Sequence, residues 1–448
     1  MNSRHTTVSS ALGQFVSTAA WQDYPQALQH TAKRSLLNGM ATALCSARDG
    51  VVDTLTRTLR SFSDSTDAML IGRRSRMDAG SAAFVNAVAI NLLDFDDTHL
   101  PTIIHPTAPV AAAALALAEW RGLSGRQMLE AFVAGAETAC RIGLGVSPGH
   151  YARGWHITSS CGGFGAAAAC ARLLGLDAEQ TAHAIGIAAS LASGLVENLP
   201  TAAKNAGVGN AARSGMLAAL LAQAGERASL TAIEGPLGWA RAGGDAPDIA
   251  AMTGELGSRF EFGSNTFKPY PSGIVMHAVI DACLDLRATH DLRPDDIAAV
   301  TVAGDALLLA RGDRAVANAR DARVSIHHCA AVALRFGAAG VKEFSDPVVF
   351  APDVAALREK VTTERDDAMP VGAARVRIDC TDGRTLSAEV TNARGSLPRP
   401  LSDADLETKL RDCARDGFAE CDSEAVIEAV WTLDRAADLG KLVAAVSG

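Results

Sequence analysis

The stretch Pro109-Val-Ala-Ala-Ala-Ala-Leu-Ala-Leu-Ala-Glu-Trp120 decides the fold. Its proline falls in a first helical turn, where the missing N–H costs nothing. Its body is alanine and leucine, the best helix formers. A helix that is apolar on every side belongs inside a larger helical assembly. Working outward, the same small-residue pattern recurs. Helices are expected over residues 81–94, over 125–142 behind Ser124 as N-cap, over 158–174, from the capping-box start Asp177-Ala-Glu-Gln180 to about 193, and over 210–227. Hydrophobic residues make up 48% of the 448 positions, but aromatic residues only 5%. Small side chains bury little area each, so many closely packed helices are needed to build a core.

The pattern changes near Ser264. Asn265-Thr-Phe-Lys-Pro-Tyr-Pro-Ser-Gly273 is a loop punctuated by proline and glycine. A helix over about 274–288 follows, then strand-like runs at 297–303, 374–380 and 386–391, with a helix near 325–336 between them. The last two runs flank the hairpin signal Thr381-Asp-Gly383. Beyond residue 402 the pattern is helical again. The expected fold class is therefore mainly α: a large all-helical domain with a smaller α+β domain over 265–395.

Composition excludes several functions. A net charge of −9 argues against a nucleic-acid surface. The nine cysteines are scattered, with no CxxC pair, which speaks for reduced thiols and against a cysteine-ligated metal cluster. The N-terminal segment lacks the basic and apolar regions of a leader, and the longest apolar run is shorter than a membrane span. The expectation is a cytoplasmic protein with neither membrane nor nucleic acid as partner.

Polar residues interrupt the apolar pattern at four places. The first is Asn91-Leu-Leu-Asp-Phe-Asp-Asp-Thr-His99, followed by His105-Pro106. If helix persists there, Asp94 and Thr98 share a face. The cluster reads as a solvated helix end or as carboxylates that orient a histidine and recognise a polar substrate. No HExxH-like spacing supports a metal site, and none is expected. The second is Gly149-His-Tyr-Ala-Arg-Gly-Trp-His156, where Tyr151 is one of only three tyrosines. His156 stands near a helix start, whose N–H groups oppose imidazolium formation, so a neutral base is available near pH 7. A hydrogen-bonded structural histidine is the plainer alternative.

The third is Lys204-Asn-Ala-Gly207-Val-Gly209-Asn-Ala-Ala-Arg213. It matches G-x-G-x-x-A, but no strand precedes it, so a dinucleotide is not expected. Seven of the 41 basic residues are lysines, and an amine, unlike a guanidinium, is suited to donate a proton. The fourth is Phe267-Lys268-Pro-Tyr270-Pro with His277 in the next helix, either a stiff hinge or part of a ligand site at a domain boundary. His327-His328 is a weaker fifth. With no nucleophile elbow or P-loop present, this inventory suits proton transfer beside a substrate carboxylate, without cofactor.

Taken together, Leu93-Asp-Phe-Asp-Asp-Thr98, His105-Pro106, Gly154-Trp-His156, the Lys204 loop with Ala211-Ala-Arg-Ser-Gly215, and Lys268-Pro-Tyr-Pro271 resemble the MmgE/PrpD family. That family includes 2-methylcitrate dehydratase, cis-aconitate decarboxylase and iminodisuccinate epimerase. The resemblance runs in order over about residues 10–440. It implies that residues 1–264 and 396–448 form one discontinuous helical domain, that residues 265–395 form a lid, and that the chain is a homodimer. It further implies metal-free chemistry on a small di- or tricarboxylate, with Asp94, Thr98, His105, His156, Lys204 and Lys268 lining the site. Arg213, Tyr151, Tyr270 and His277 are added as substrate-binding residues. Many members have Lys-x-Leu-His-x-Gly where this chain has Lys204-Asn-Ala-Gly207-Val-Gly209, which points to a different carboxylate. The expected activity is that of a lyase, dehydratase or decarboxylase. An epimerase of an amino- or imino-dicarboxylate and an inactive carboxylate-binding homologue are the alternatives.

Overall fold

The computed structural model describes residues 6–447. The first residues of the segment read for a leader, and the final glycine of the helical tail, lie outside the described residues. The chain divides into two units. One comprises residues up to Leu92, Asp96–Thr266 and Asp403 onward. The other comprises Leu93–Phe95 and Phe267–Ser402.

The first unit is mostly helical, and its core helices are those the alanine pattern marks. Thr107–Arg121 is buried from Thr107 through Ala118, and it ends on Gly122 in the left-handed conformation (φ 63°). Gly125–Val146 starts with a full capping box between Ser124 and Gln127, and Ala178–Leu191 with one between Asp177 and Gln180. Ile157–Leu173 is buried along nearly its whole length. Two of these helices touch through glycine: a Cβ on Gly165 would lie 2.6 Å from the Gly135 carbonyl oxygen. Gly165→Ala gains about 1 kcal/mol of helix propensity. It also overpacks a rigid backbone contact, at about 1–3 kcal/mol. A net loss is expected, read as a lower urea midpoint; an unchanged or higher midpoint would mean the two helices can move apart freely.

Two helices differ from expectation. The helix expected to reach residue 94 is Ala79–Asn91. Asp94 adopts left-handed backbone (φ 55°), and Asp97–His99 is extended, so Asp94 and Thr98 share no helix face. The helix expected from residue 210 is Ala202–Gln223, capped by Thr201. Its Gly207 and Gly209 are helical contact points rather than loop. A Cβ on Gly209 would meet the Phe84 carbonyl oxygen at 2.8 Å, and one on Gly207 would meet Ser159 Oγ at 2.8 Å. The chain returns to this unit through Asp403–Gly417, Ser423–Trp431 and Gly440–Ser447.

The second unit is α+β. Its sheet runs Val361–Arg365, Ile297–Gly304, Ala374–Cys380, Thr385–Val390; the first pair is parallel and the others antiparallel. Ala374–Cys380 alternates buried and exposed positions, as expected of a sheet covered on one face. His277–His290 and Ile326–Phe336 supply buried residues to the same core. Gly383, with φ 88°, turns the hairpin. The edge strand Val361–Arg365 was not expected; only its first residue is buried, so it carries little hydrophobic signal.

Candidate active site

In the helical unit, the polar segment after Asn91 is folded inward. Asp96, Asp97 and His99 are buried. The Asp97 carboxylate accepts from Thr107 Oγ1 at 2.6 Å and from Asn265 Nδ2 at 2.5 Å. Burial, then the neighbouring Asp96 charge, pushes its carboxyl up to about 7. His99 bonds Thr102 Oγ1, and desolvation lowers its imidazole to about 4.

The raised carboxyl of Asp97 has a consequence for stability. The native state holds a proton that the unfolded chain releases above pH about 4. The stability owed to this group is therefore present below that pH and is lost as pH rises through about 7. Asp97→Asn keeps an acceptor for Thr107 and removes the titration. Its urea midpoint should fall less than the wild type's between pH 5 and 8; parallel pH profiles would mean that Asp97 is ionised throughout.

His105 is fixed at both backbone and ring. Its N–H donates to Thr158 Oγ1 at 3.1 Å. Its Nδ1 lies 2.6 Å from the Asp97 carbonyl oxygen, 3.2 Å from Thr98 Oγ1 and 3.6 Å from Asp96 Oδ1. A carbonyl oxygen only accepts, so Nδ1 carries the proton and the lone pair is on Nε2. Thr98 is held in turn: its carbonyl accepts from Thr266 Oγ1 at 2.7 Å. Thr98 stands beside the His105 ring. The carboxylate beside the His105 ring within this unit is Asp96.

His156 is the residue before the helix Ile157–Leu173, at its N-cap. Its Nδ1 is 2.7 Å from Ser159 Oγ, and its N–H donates to the Gly194 carbonyl. The loop that carries it is fastened by His150, which was not singled out in the sequence. His150 stacks on Trp155, donates from Nδ1 to the Gly243 carbonyl and accepts at Nε2 from Ser160 Oγ. Desolvation lowers its imidazole to about 4. The signal that could have found it was a histidine between tryptophan-bearing segments. Tyr151 is half-buried in the short helix Gly149–Ala152.

Lys204 lies in the first turn of Ala202–Gln223, and Ser159 ties that helix to the His156 segment through the Gly207 contact. Lys204 and His156 are only 7% and 4% exposed, so both are withdrawn from bulk water. Asn205, next to Lys204, donates from Nδ2 to the backbone and side-chain oxygens of Asn91, each at 3.0 Å. Arg213 sits nine residues on, half a turn round the helix from Lys204, and is exposed with its stem near Gly80.

In the α+β unit, Lys268 Nζ donates to the Asp94 carbonyl at 3.0 Å and lies 3.2 Å from Asp94 Oδ1. Tyr270 spends its hydroxyl on Asp281 Oδ1 at 2.6 Å. Burial, with the Asp281 charge next, raises its phenol further above the ordinary range. Asp281 also accepts from the Arg394 N–H and from Arg399. His277 is buried against the Tyr270 ring, edge to face. These contacts stiffen the Lys268 loop. His327 bonds Asp313 and the Val361 carbonyl, whereas His328 is buried against Glu343 and Arg358. The two rings face different ways.

Comparison with known proteins covers nearly all of the chain. A model of the MmgE/PrpD N-terminal domain matches residues 10–251, and one of the MmgE/PrpD C-terminal domain matches residues 270–435. The chain is 27% identical over 435 residues to cis-aconitate decarboxylase of Mus musculus, covering 93% of this chain and 88% of that one. It is 27% identical over 432 residues to cis-aconitate decarboxylase of Homo sapiens, covering 93% and 90%. It is 25% identical over 467 residues to cis-aconitate decarboxylase of Aspergillus terreus, covering 97% and 95%.

Proposed function

This chain belongs to the MmgE/PrpD family, and we propose that it is a lyase acting on a small di- or tricarboxylate. Cis-aconitate decarboxylases at 25–27% identity support that substrate class at the level of the family. The observation that carries the reading is the ring of His105, fixed with Nδ1 on the Asp97 carbonyl and its lone pair on Nε2. Such an imidazole is prepared to exchange a proton at one defined atom.

In the proposed reaction, His156 or Lys204 takes the proton next to a substrate carboxylate. The electron pair forms a double bond as hydroxide leaves, protonated by the other group to water; in a decarboxylation no proton is taken first, carbon dioxide leaves the C–C bonding pair on the adjacent carbon, and the acid protonates that carbon. His105, steadied by Thr98, assists at the reacting centre. Lys268 holds a carboxylate, and Asp94 holds Lys268. The scheme draws on the chain's own amines and imidazoles and calls for no metal. Turnover should therefore survive dialysis against a chelator. A loss of more than about tenfold, restored by a divalent ion, would replace the scheme with Lewis-acid chemistry.

The alternatives are an epimerase of an amino- or imino-dicarboxylate, which uses the same proton abstraction, and an inactive carboxylate-binding homologue, which Gly207 allows. Gly207 stands where many family members have histidine, and a Cβ there would lie 2.8 Å from Ser159 Oγ. Incubation with a panel of di- and tricarboxylates in deuterated water, read by proton NMR, separates the readings. A lyase yields an olefinic product or loses carbon dioxide. An epimerase exchanges deuterium into recovered substrate. Binding without exchange on every substrate would leave only a carboxylate-binding role.

A further inference from the structure

We propose that Asp96 is the positioning carboxylate of His105 and that two buried asparagines, Asn91 and Asn205, clamp it in place from the Lys204 helix. The inference rests on the reading above in which His105 takes part in proton transfer. All four residues lie in the helical unit.

The clamp is a directed chain. Asn205 Nδ2 donates to both oxygens of Asn91, 3.0 Å each. That fixes the Asn91 amide with its oxygen toward Asn205 and its Nδ2 toward Asp96, where it donates to Oδ2 at 2.7 Å. The reversed amide would set an oxygen against a carboxylate. Asp96 then turns its other oxygen, Oδ1, to within 3.6 Å of His105 Nδ1. Asn91, Asn205 and Asp96 are fully buried. A buried charge needs a partner, and Asp96 Oδ1 meets no hydrogen-bond partner among the described residues. Its compensation arrives when His105 accepts a proton at Nε2 and becomes imidazolium. The neighbouring Asp97 carboxyl is already taken up by Thr107 and Asn265, which leaves Asp96 as the carboxylate turned toward the His105 ring. This is the logic of a base oriented by a third group. It also couples His105 to the residue next to Lys204.

The test uses the full chain labelled with 15N-histidine, the His105 signals being those lost in His105→Gln. Wild type should show the Nδ1–H tautomer; an Nε2–H tautomer overturns the proposal. Asp96→Asn, Asn91→Ser and Asn205→Ser should then lower kcat about 10–100-fold, the usual cost of removing an orienting partner, with KM changed less than threefold. Each should also shift the His105 nitrogen signals. Asn205→Asp should be worse than Asn205→Ser, since it faces the two Asn91 oxygens with a carboxylate. Wild-type kcat in a folded Asp96→Asn variant, with His105 signals unmoved, overturns the proposal. If Asn91→Ser fails to fold, the wild-type tautomer and the Asp96→Asn kinetics decide. Full turnover in His105→Gln would sink the proton-transfer reading of His105 itself, whereas the tautomer and nitrogen shifts report on the clamp independently.

Discussion

Lys204→Ala is expected to lower turnover by about 10²–10⁴-fold while leaving the protein folded, because the proposed scheme uses Lys204 as an acid–base group and removing one typically costs that much. Three features of the site make this the most severe single change in activity. The amine is nearly enclosed, so the medium around it strengthens its electrostatic effect on a developing negative charge. It sits in the first turn of its helix, whose N–H groups favour that same charge. Its neighbour Asn205 anchors the helix to Asn91, so the backbone under the amine is fixed before substrate arrives. The fold should tolerate the change. Alanine is the best helix former, and the Thr201 cap and the close contacts of Gly207 and Gly209 are made by other residues. His156→Ala should give a loss of similar size, since the proposed scheme gives its ring, held by Ser159 Oγ at 2.7 Å, the complementary proton-transfer role. The measurement is kcat on whichever carboxylate the deuterium-exchange panel identifies. Near-wild-type turnover in both folded variants would remove the acid–base assignment.

The largest effect on stability is expected at Arg141, far from this chemistry in kind. Arg141→Met should cost about 3–5 kcal/mol, the usual penalty for stranding one member of a buried ion pair. Arg141 is fully buried. Its Nε bonds Glu137 Oε1 at 2.5 Å, and its two terminal nitrogens donate to the carbonyls of Gly254 and Arg259 at 2.6 Å each. Burial pushes the Glu137 carboxyl up, against the opposing pull of the Phe262 N–H and of Arg141. With methionine in place, Glu137 loses its counter-charge and the carbonyls lose their donors. Urea unfolding should show the loss. Replacing both partners, as in Glu137→Gln with Arg141→Met, should recover part of it, because no bare charge then remains. A single variant as stable as wild type would show that water enters and solvates the carboxylate.

Much of the fold was legible in the sequence because its signals are local. Alanine runs, the Ser124 and Asp177 capping boxes and the Thr381-Asp-Gly383 hairpin each act within a few residues. The candidate residues were legible as types: the motifs drew attention to His105 and Thr98, whose side chains approach to 3.2 Å, and to Lys268 in its proline-stiffened loop. What the sequence missed depends on partners distant in the chain. After helix 79–91, Asp94 turns left-handed and its carbonyl accepts from Lys268 Nζ, 174 residues away. The Lys204 segment continues as helix because Phe84 and Ser159 press against its glycines. His150 passed unnoticed because its stacking and its hydrogen bonds to Gly243 and Ser160 leave no periodic trace.

The sequence alone therefore determined the elements and the chemical inventory, since helix propensity, capping and turn geometry are properties of short segments. Only the tertiary structure decided which side chains meet: Asp94 with Lys268, Asp96 within 3.6 Å of His105, and Asn91 between Asp96 and Asn205. Hydrogen bonds require atoms to meet within about 3 Å at defined angles. Whether they meet depends on how the backbone of separate segments packs, which neighbouring letters in a chain do not encode.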